Sequence, residues 1–124
     1  SILNSYLDTG TNGLFFTSNA QTQLPPCVAD PTWYCPLDTM VEQAVISDGG
    51  LPAANSVTVS FSVFNAEALF STSNAAFAGL AGSPPTNSGS AFAWGLPFFY
   101  GKRVFLSIWQ APFTVGPMYA WESI

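Results

Sequence analysis

The sequence predicts a mostly-β domain with two short helices, and three features carry this prediction. Residues 57–63 alternate strictly between apolar and hydroxyl-bearing side chains, which is the pattern of a half-buried strand. Several shorter apolar runs are separated by Gly, Pro, Asn and Ser clusters, as is typical of all-β domains. Clear helix signals occur at residues 37–48 and 96–100 only. With 124 residues, the chain is long enough for one domain and too short for two.

The composition excludes several functional classes. Hydrophobic residues make up 48% and charged residues 7%, whereas a disordered chain needs low hydrophobicity and high charge. Lys102 and Arg103 are the only basic residues against seven acids, so neither nucleic acid nor an anionic membrane surface is an expected partner. There is no His, and no apolar run approaches the roughly 20 residues that span a bilayer.

Cys27 and Cys35 are the two cysteines, and seven residues lie between them. A local disulfide is the favoured interpretation, and it would place the chain in an oxidising compartment, secreted or periplasmic. The chain-entropy estimate for so short a loop is roughly 2.5 kcal/mol of stabilisation. The alternative is two free buried thiols. With two Cys and no His, a metal site is not expected.

The N-terminal part is predicted to contain two short strands, at residues 2–7 and 14–16. Residues 8–13, Asp-Thr-Gly-Thr-Asn-Gly, form a tight loop between them, because glycines and Asn favour turns. The polar, Pro-rich residues 17–36 are expected to form an irregular excursion that the disulfide closes.

The best helix signal lies at residues 37–48. Thr39 and Glu42 have the spacing of a capping box, in which both side chains satisfy backbone N–H groups at a helix start. Gly49-Gly50 would end the helix. The apolar residues that would share one helical face are Met40, Val41, Ala44 and Val45.

The part that follows the strand at residues 57–63 is predicted to turn and return. Residues 64–66 would form the turn and residues 67–70 the return strand. Residues 71–83 are Ala-rich and allow a helical turn, which their two glycines disfavour.

The C-terminal part is predicted to begin with a short apolar strand, residues 92–94, that ends at Gly95. Residues 96–100 fit one helical turn, because a Pro lies near its start and a Gly follows its end. The remaining predicted strands are residues 104–109 and 118–121, with Lys102-Arg103 at the solvated end of a strand.

Three of these features occur in a characteristic order: an apolar strand leading into Asp8-Thr9-Gly10-Thr11, a central alternating strand, and Ala93-Trp94-Gly95 followed by a short helix. This order and spacing resemble one lobe of a pepsin-like aspartic protease, over most of residues 3–121. The stretch from Trp94 to Phe99 also resembles an uncharacterised family of secreted bacterial proteins with pepsin-like motifs. The resemblance implies a bilobal β-barrel protein in which each lobe brings one Asp-Thr/Ser-Gly loop.

The resemblance also implies a role for each residue of the loop. Asp8 would be one carboxylate of a two-Asp dyad that activates water. Gly10 would donate a backbone N–H to this carboxylate, and the Thr11 hydroxyl would donate to its outer oxygen. The Thr9 hydroxyl would reach across to the partner lobe. Trp94-Gly95 would cross behind the loop in a psi-shaped arrangement.

Taken alone, Asp8 also fits an Asx-turn that stabilises a tight loop.

Two carboxylates that share one proton can act as general base and general acid, but this chain contains only one Asp-Thr-Gly. The second would come from an identical chain or from a missing N-terminal lobe. Because only seven residues precede Asp8, we expect residues 1–124 to be a single lobe, the C-terminal part of a longer bilobal protein.

The leading functional prediction is half of a secreted aspartic endopeptidase that acts on an extended peptide, with no metal or organic cofactor. The alternative is a non-catalytic extracellular β-protein: a pseudoprotease, or a structural or binding subunit.

Aromatic residues are also concentrated in the C-terminal part, where core packing is favoured over a sugar-binding surface. They are Phe92, Trp94, Phe98, Phe99, Tyr100, Phe105, Trp109, Phe113, Tyr119 and Trp121.

Overall fold

A computed structural model describes residues 4–21, 23–47, 56–85, 91–106 and 119–124. Within these ranges the chain is mostly β, no closed barrel is formed, and no helix has the length and apolar character needed to cross a bilayer. The strands are β1 (Ser5–Leu7), β2 (Leu14–Phe15), β3 (Met40–Ser47), β4 (Ser56–Val63), β5 (Ala81–Gly82), β6 (Phe92–Trp94), β7 (Lys102–Leu106) and β8 (Tyr119–Ser123). The helices are α1 (Ala66–Phe70) and a 3-10 helix (Leu96–Phe99).

The central sheet has four short strands in the order β1-β6-β2-β5. β6 lies between β1 and β2, parallel to the first and antiparallel to the second. β5 pairs in parallel with the other side of β2. Because β1 and β2 are consecutive in the chain but separated by β6, the loop at residues 8–13 must pass over the end of β6.

β3 and β4 form a long antiparallel pair, with Met40 opposite Val63 and Ser47 opposite Ser56. The predicted strand at residues 57–63 is therefore confirmed. The predicted helix at residues 37–48 is wrong, because β3 occupies this segment.

The apolar residues of β3 fit a two-residue period as well as a helical one. Ala44 and Ile46 face the core, whereas Val41 and Val45 are exposed on the outer face. Pairing with β4 and burial of one face outweigh local helix propensity. Glu42, the supposed capping residue, is instead buried on the inner face, and its Oε1 has no hydrogen-bond partner in the part of the chain that is described.

The predicted return strand at residues 67–70 is also wrong, because α1 occupies it. Asn65 caps this helix: its Oδ1 accepts a hydrogen bond from the Ala68 N–H at 3.0 Å, and its Nδ2 donates to the Pro36 carbonyl at 3.3 Å. Asn is among the best N-cap residues, and Ala, Glu and Leu that follow are good helix formers. No helical turn forms at residues 71–83, whose last part contains β5.

The predicted turn at residues 96–100 is confirmed as the 3-10 helix, which has Pro97 near its start. Gly101 follows with a φ of 67°, in the left-handed region that favours glycine.

β7 and β8 pair antiparallel where the last two strands were predicted. Arg103 forms an exposed ion pair with Glu122 at 2.9 Å. The parts of those predictions at residues 107–118, with Trp109 and Phe113, lie outside the described residues.

Cys27 and Cys35 form the predicted disulfide, and the described part of residues 17–36 is irregular. The closed loop extends the central sheet, because the Tyr34 N–H donates to the Ala81 carbonyl at 3.0 Å. A disulfide suits an oxidising compartment.

A group of stacked aromatic rings fills the space between the central sheet and the β3–β4 pair. Phe16 and Phe92 are nearly parallel with ring centroids 5.0 Å apart, and Phe92 stacks on Trp94 at 4.1 Å. Phe61 of β4 meets both Phe92 and Trp94 edge-on. Each such pair stabilises the fold by about 0.5–1.5 kcal/mol beyond the contribution from burying the rings. Of the C-terminal aromatic residues, Phe92, Trp94 and Phe98 are buried in this core, as the packing interpretation predicted, whereas Tyr100 and Phe105 are exposed.

Candidate functional site

Asp8 is the first residue after β1 and begins the loop that leads to β2. Its backbone N–H donates to the Trp94 carbonyl at 3.0 Å, which ties the start of the loop to the last residue of β6. The Leu96 N–H donates to the Thr11 carbonyl at 2.7 Å and holds the other side of the loop. Two backbone hydrogen bonds to residues 94–96 therefore fix the position of Asp8.

The Asp8 carboxylate accepts a hydrogen bond on each oxygen. The Gly10 N–H donates to Oδ1 at 2.8 Å, and the Thr11 hydroxyl donates to Oδ2 at 2.7 Å. Both contacts were expected from the resemblance. The Gly10 bond is also that of an Asx-turn, so the two interpretations of Asp8 share it. The Thr11 hydrogen bond is not part of an Asx-turn, and it orients the second carboxylate oxygen. The catalytic role of Asp8 stays a prediction.

These hydrogen bonds lower the pKa of Asp8 below its ordinary value, with the Thr11 hydroxyl as the largest cause and the Gly10 N–H as the second. A hydrogen bond donated to a carboxylate stabilises the charged form. Desolvation acts in the opposite direction and is the smallest of the three causes. In the described structure the ionised form of Asp8 is therefore favoured, and a nearby second negative charge would oppose this by raising the pKa of Asp8.

Gly95 allows the loop to lie directly against the end of β6. A Cβ atom at this position would clash with the Gly13 carbonyl oxygen and lie 2.6 Å from the Thr11 carbonyl oxygen. Both neighbours are backbone atoms, which cannot move aside as a flexible side chain can. The φ of Gly95 is an ordinary −76°, so this position requires glycine for space and not for backbone conformation.

Thr9 and Trp94, the other residues predicted for the site, differ in burial. Thr9 is exposed in the loop, and its side chain forms no hydrogen bond with any described residue. Trp94 is 2% exposed, and its indole Nε1 lacks a hydrogen-bond partner among those residues. Trp94 therefore supports the loop from the core, while the contact of Thr9 with a partner lobe stays a prediction.

The disulfide loop supplies a support that the sequence analysis missed. The Trp33 ring packs against Phe15 with centroids 5.2 Å apart and against Phe70 at 5.5 Å. A Cβ atom at Gly13 would lie 3.0 Å from the same ring, so Trp33 also borders the Asp8 loop. No local pattern indicates this contact, because it joins segments that are distant in the chain.

A small hollow of about 150 Å³ opens beside the loop. Thr11 contributes to its wall, next to the hydroxyl bond that it makes with Asp8. The rest of the wall is mainly apolar or aromatic and includes Tyr6, Phe15, Ala93 and the Pro84-Pro85 pair.

The other acidic residues lie in different surroundings. Asp30 belongs to the disulfide loop, where the Thr32 N–H donates to its Oδ1 at 3.0 Å and is the main cause that lowers its pKa. The Glu67 carboxylate lies close to the sulfur atoms of the Cys27–Cys35 disulfide. Because disulfide sulfurs are not thiolates, this cluster lacks the ligands that a zinc or similar ion requires.

The loop can therefore hold one carboxylate ionised, accessible and fixed in direction. Such a group can take a proton from water as a general base, or share a proton with a second carboxylate. Peptide hydrolysis also needs an acid that protonates the leaving amine. That acid has to be supplied from outside this loop.

The comparison with known proteins gives one family. A family model described as "Protein of unknown function (DUF3443)" matches residues 1–121, which is nearly the whole chain. No curated protein and no solved structure matches the chain.

Substituting Gly95→Ala is expected to lower the free energy of unfolding by about 3 kcal/mol or more, because the new methyl group meets two backbone carbonyl oxygens. Gly101→Ala is the matched control. Its φ of 67°, unlike that of Gly95, is unfavourable for Ala, but a Cβ there meets no atom within 4 Å, so the loss is about 1–2 kcal/mol. Urea unfolding measures both. Equal losses would show that the loop does not rest on Gly95.

Substituting Thr11→Val is expected to raise the pKa of Asp8 towards its ordinary value of 3.8, because the main hydrogen bond that lowers it is removed. Thr9→Val, in the same loop, should leave this pKa unchanged. Carboxyl ¹³C NMR measures both variants. A folded pKa below the unfolded one stabilises the protein above the unfolded pKa, and this stabilisation is lost as the pH falls through the folded pKa. Thr11→Val should reduce that acid-dependent loss. An unchanged Asp8 titration would contradict the assigned hydrogen bond.

Proposed function

The chain belongs to the DUF3443 family, and we propose that it forms one lobe of a secreted, pepsin-like aspartic endopeptidase in which Asp8 supplies one of two catalytic carboxylates. One observation supports this most strongly. Both oxygens of Asp8 are held by hydrogen bonds, in a loop that passes over a strand inserted between its own flanking strands.

The proposed reaction needs two carboxyl groups that share one proton. The ionised group takes a proton from a water molecule, and the water oxygen attacks the carbonyl carbon of the peptide. The protonated group donates its proton to the carbonyl oxygen. When the C–N bond breaks, the first group gives the proton it took from water to the leaving amine, and the second group takes a proton back from a hydroxyl of the tetrahedral intermediate, which becomes the carboxylic acid product. Asp8 contributes a carboxylate whose direction is fixed by Gly10 and Thr11 before substrate binds, so little reorganisation is needed.

The second carboxylate would come from a partner lobe, either in the same polypeptide or in another chain. Thr9 supports this arrangement, because its hydroxyl is exposed in the loop and makes no hydrogen bond within the described structure. In the proposed assembly this hydroxyl would bond to the loop of the partner lobe. The close approach of two carboxylates would raise the pKa of one of them and keep one proton between them at acidic pH.

The hollow beside Asp8 supports a peptide substrate. Its wall contains aromatic, proline and alanine side chains, and Thr11 joins it to the carboxylate. A volume of about 150 Å³ suits one apolar side chain of a bound peptide. In the proposed enzyme this hollow would hold a substrate side chain while the neighbouring peptide bond faces Asp8.

A non-catalytic extracellular subunit is the second candidate, and a different observation favours it. Large apolar side chains are exposed on two strand pairs: Val41 and Val45 on β3, and Phe105 and Leu106 on β7. Exposed apolar surface of this kind is typical of interfaces between chains. The same loop could then serve as a structural turn, with Asp8 as an Asx-turn residue.

Asp8→Asn is expected to abolish peptide cleavage at acidic pH by the native protein that contains this chain, with a loss of about 10³-fold or more in kcat/KM. The wild-type cleavage should be inhibited by pepstatin. Asp30→Asn is the matched control, because Asp30 is exposed and, like that of Asp8, its pKa is lowered by hydrogen bonds. Its kcat/KM should stay within about twofold of wild type.

The outcomes separate the two candidates. Cleavage that survives Asp8→Asn would contradict the assignment of Asp8. Absence of pepstatin-sensitive cleavage by the wild-type protein would favour the non-catalytic subunit.

A further inference from the structure

A second cavity, larger than the hollow beside Asp8, lies between β4 and the 3-10 helix and has a volume of about 260 Å³. Val59, Phe61 and Trp94 form apolar walls, and Pro97 and Phe98 of the 3-10 helix close another side. Every residue from Val59 to Ser62 contributes, so the side of β4 that faces away from β3 borders the cavity. Ser60 and Ser62 belong to this part of the wall, and the Ser60 hydroxyl accepts a hydrogen bond from the Gln43 side chain at 3.2 Å.

Lys102 lines this cavity, although the sequence analysis placed it at the solvated end of a strand. It is half-buried, and its Nζ lies 5.0 Å from the centre of the Phe98 ring. Lys102 forms no ion pair with any described residue, whereas the neighbouring Arg103 is paired with Glu122. Desolvation lowers the pKa of Lys102, which reflects the apolar surroundings of its ammonium group. One of only two basic side chains in the chain thus lies at an apolar cavity without an anionic partner.

Among the described residues, Lys102 is the only charged residue in the lining of this cavity. No acidic residue lines the cavity; Glu42 faces the same core from β3 but is not part of the wall.

We propose that this cavity binds a small apolar carboxylate, with the carboxylate at the Lys102 ammonium and the hydrocarbon part against Phe61 and Phe98. A carboxylate supplies acceptors for the N–H groups of the ammonium, and its charge matches that of the unpaired cation. At about 30 Å³ for each non-hydrogen atom, the volume admits roughly nine such atoms. A six- to seven-carbon acid has this size.

The proposed site is separate from the Asp8 loop, although Trp94 contributes to both. The carbonyl of Trp94 holds the Asp8 backbone, while its side chain faces the cavity from the core. Ligand binding therefore does not require the proposed peptidase activity. It can be tested on the native protein whether or not that protein cleaves peptides.

Isothermal titration calorimetry with hexanoate tests the proposal on the native protein that contains this chain. Hexanol is the uncharged comparison ligand and is expected to bind at least tenfold more weakly. Lys102→Met should weaken hexanoate binding at least tenfold, and Lys102→Arg, which keeps the charge, should restore most of it. Arg103→Gln is the matched control, because Arg103 is the exposed neighbour and is already paired. It should bind hexanoate like the wild type.

Thermal unfolding of each variant establishes that it is folded. The proposal is overturned if the wild type does not bind hexanoate, if hexanol binds equally well, or if folded Lys102→Met binds like the wild type.

Discussion

The insertion of β6 between β1 and β2 is the constraint on which the rest of the described structure depends. It separates two strands that are consecutive in the chain, so the loop that joins them must cross the end of β6. The crossing is possible because Gly95 has no side chain where the carbonyl oxygens of Thr11 and Gly13 approach. The same strand carries Phe92 and Trp94 into the aromatic core. One short strand therefore positions the Asp8 loop and anchors it to the best-packed part of the molecule.

Charged residues make up only 7% of the chain, so each ionised side chain has few others that could balance its charge. Asp8 is half-buried, and two hydrogen bonds stabilise its ionised form, which makes it suited to meet a second charged or polar group from outside. Lys102 is half-buried and has no acidic partner among the described residues. Neither group has an oppositely charged partner among the described residues. Their placement is the basis on which we propose a second lobe at Asp8 and an anionic ligand at Lys102.

The sequence predicted the strands and the loop at Asp8 better than the elements whose form depends on distant contacts. The alternation at residues 57–63 and the turn after Gly95 are local patterns, and both were found. The segment at residues 37–48 fits two periods, and only pairing with β4 decides between them. The short helix α1 was missed although Asn65 is a good cap, because four following residues also fit a strand. Trp33 beside Gly13 and Lys102 at its cavity were missed because each contact joins segments far apart in the chain.

The central claim is that Asp8 is one half of an acid dyad, and its titration in the native protein tests this most directly. Carboxyl ¹³C NMR of Asp8 across acidic pH would follow it. If a second carboxylate shares its proton, Asp8 will titrate in two steps, because strongly interacting groups lose their protons as a coupled pair. A single step with a pKa below the ordinary value would match the isolated hydrogen-bonded carboxylate of this lobe. That result would contradict the dyad and favour a structural turn.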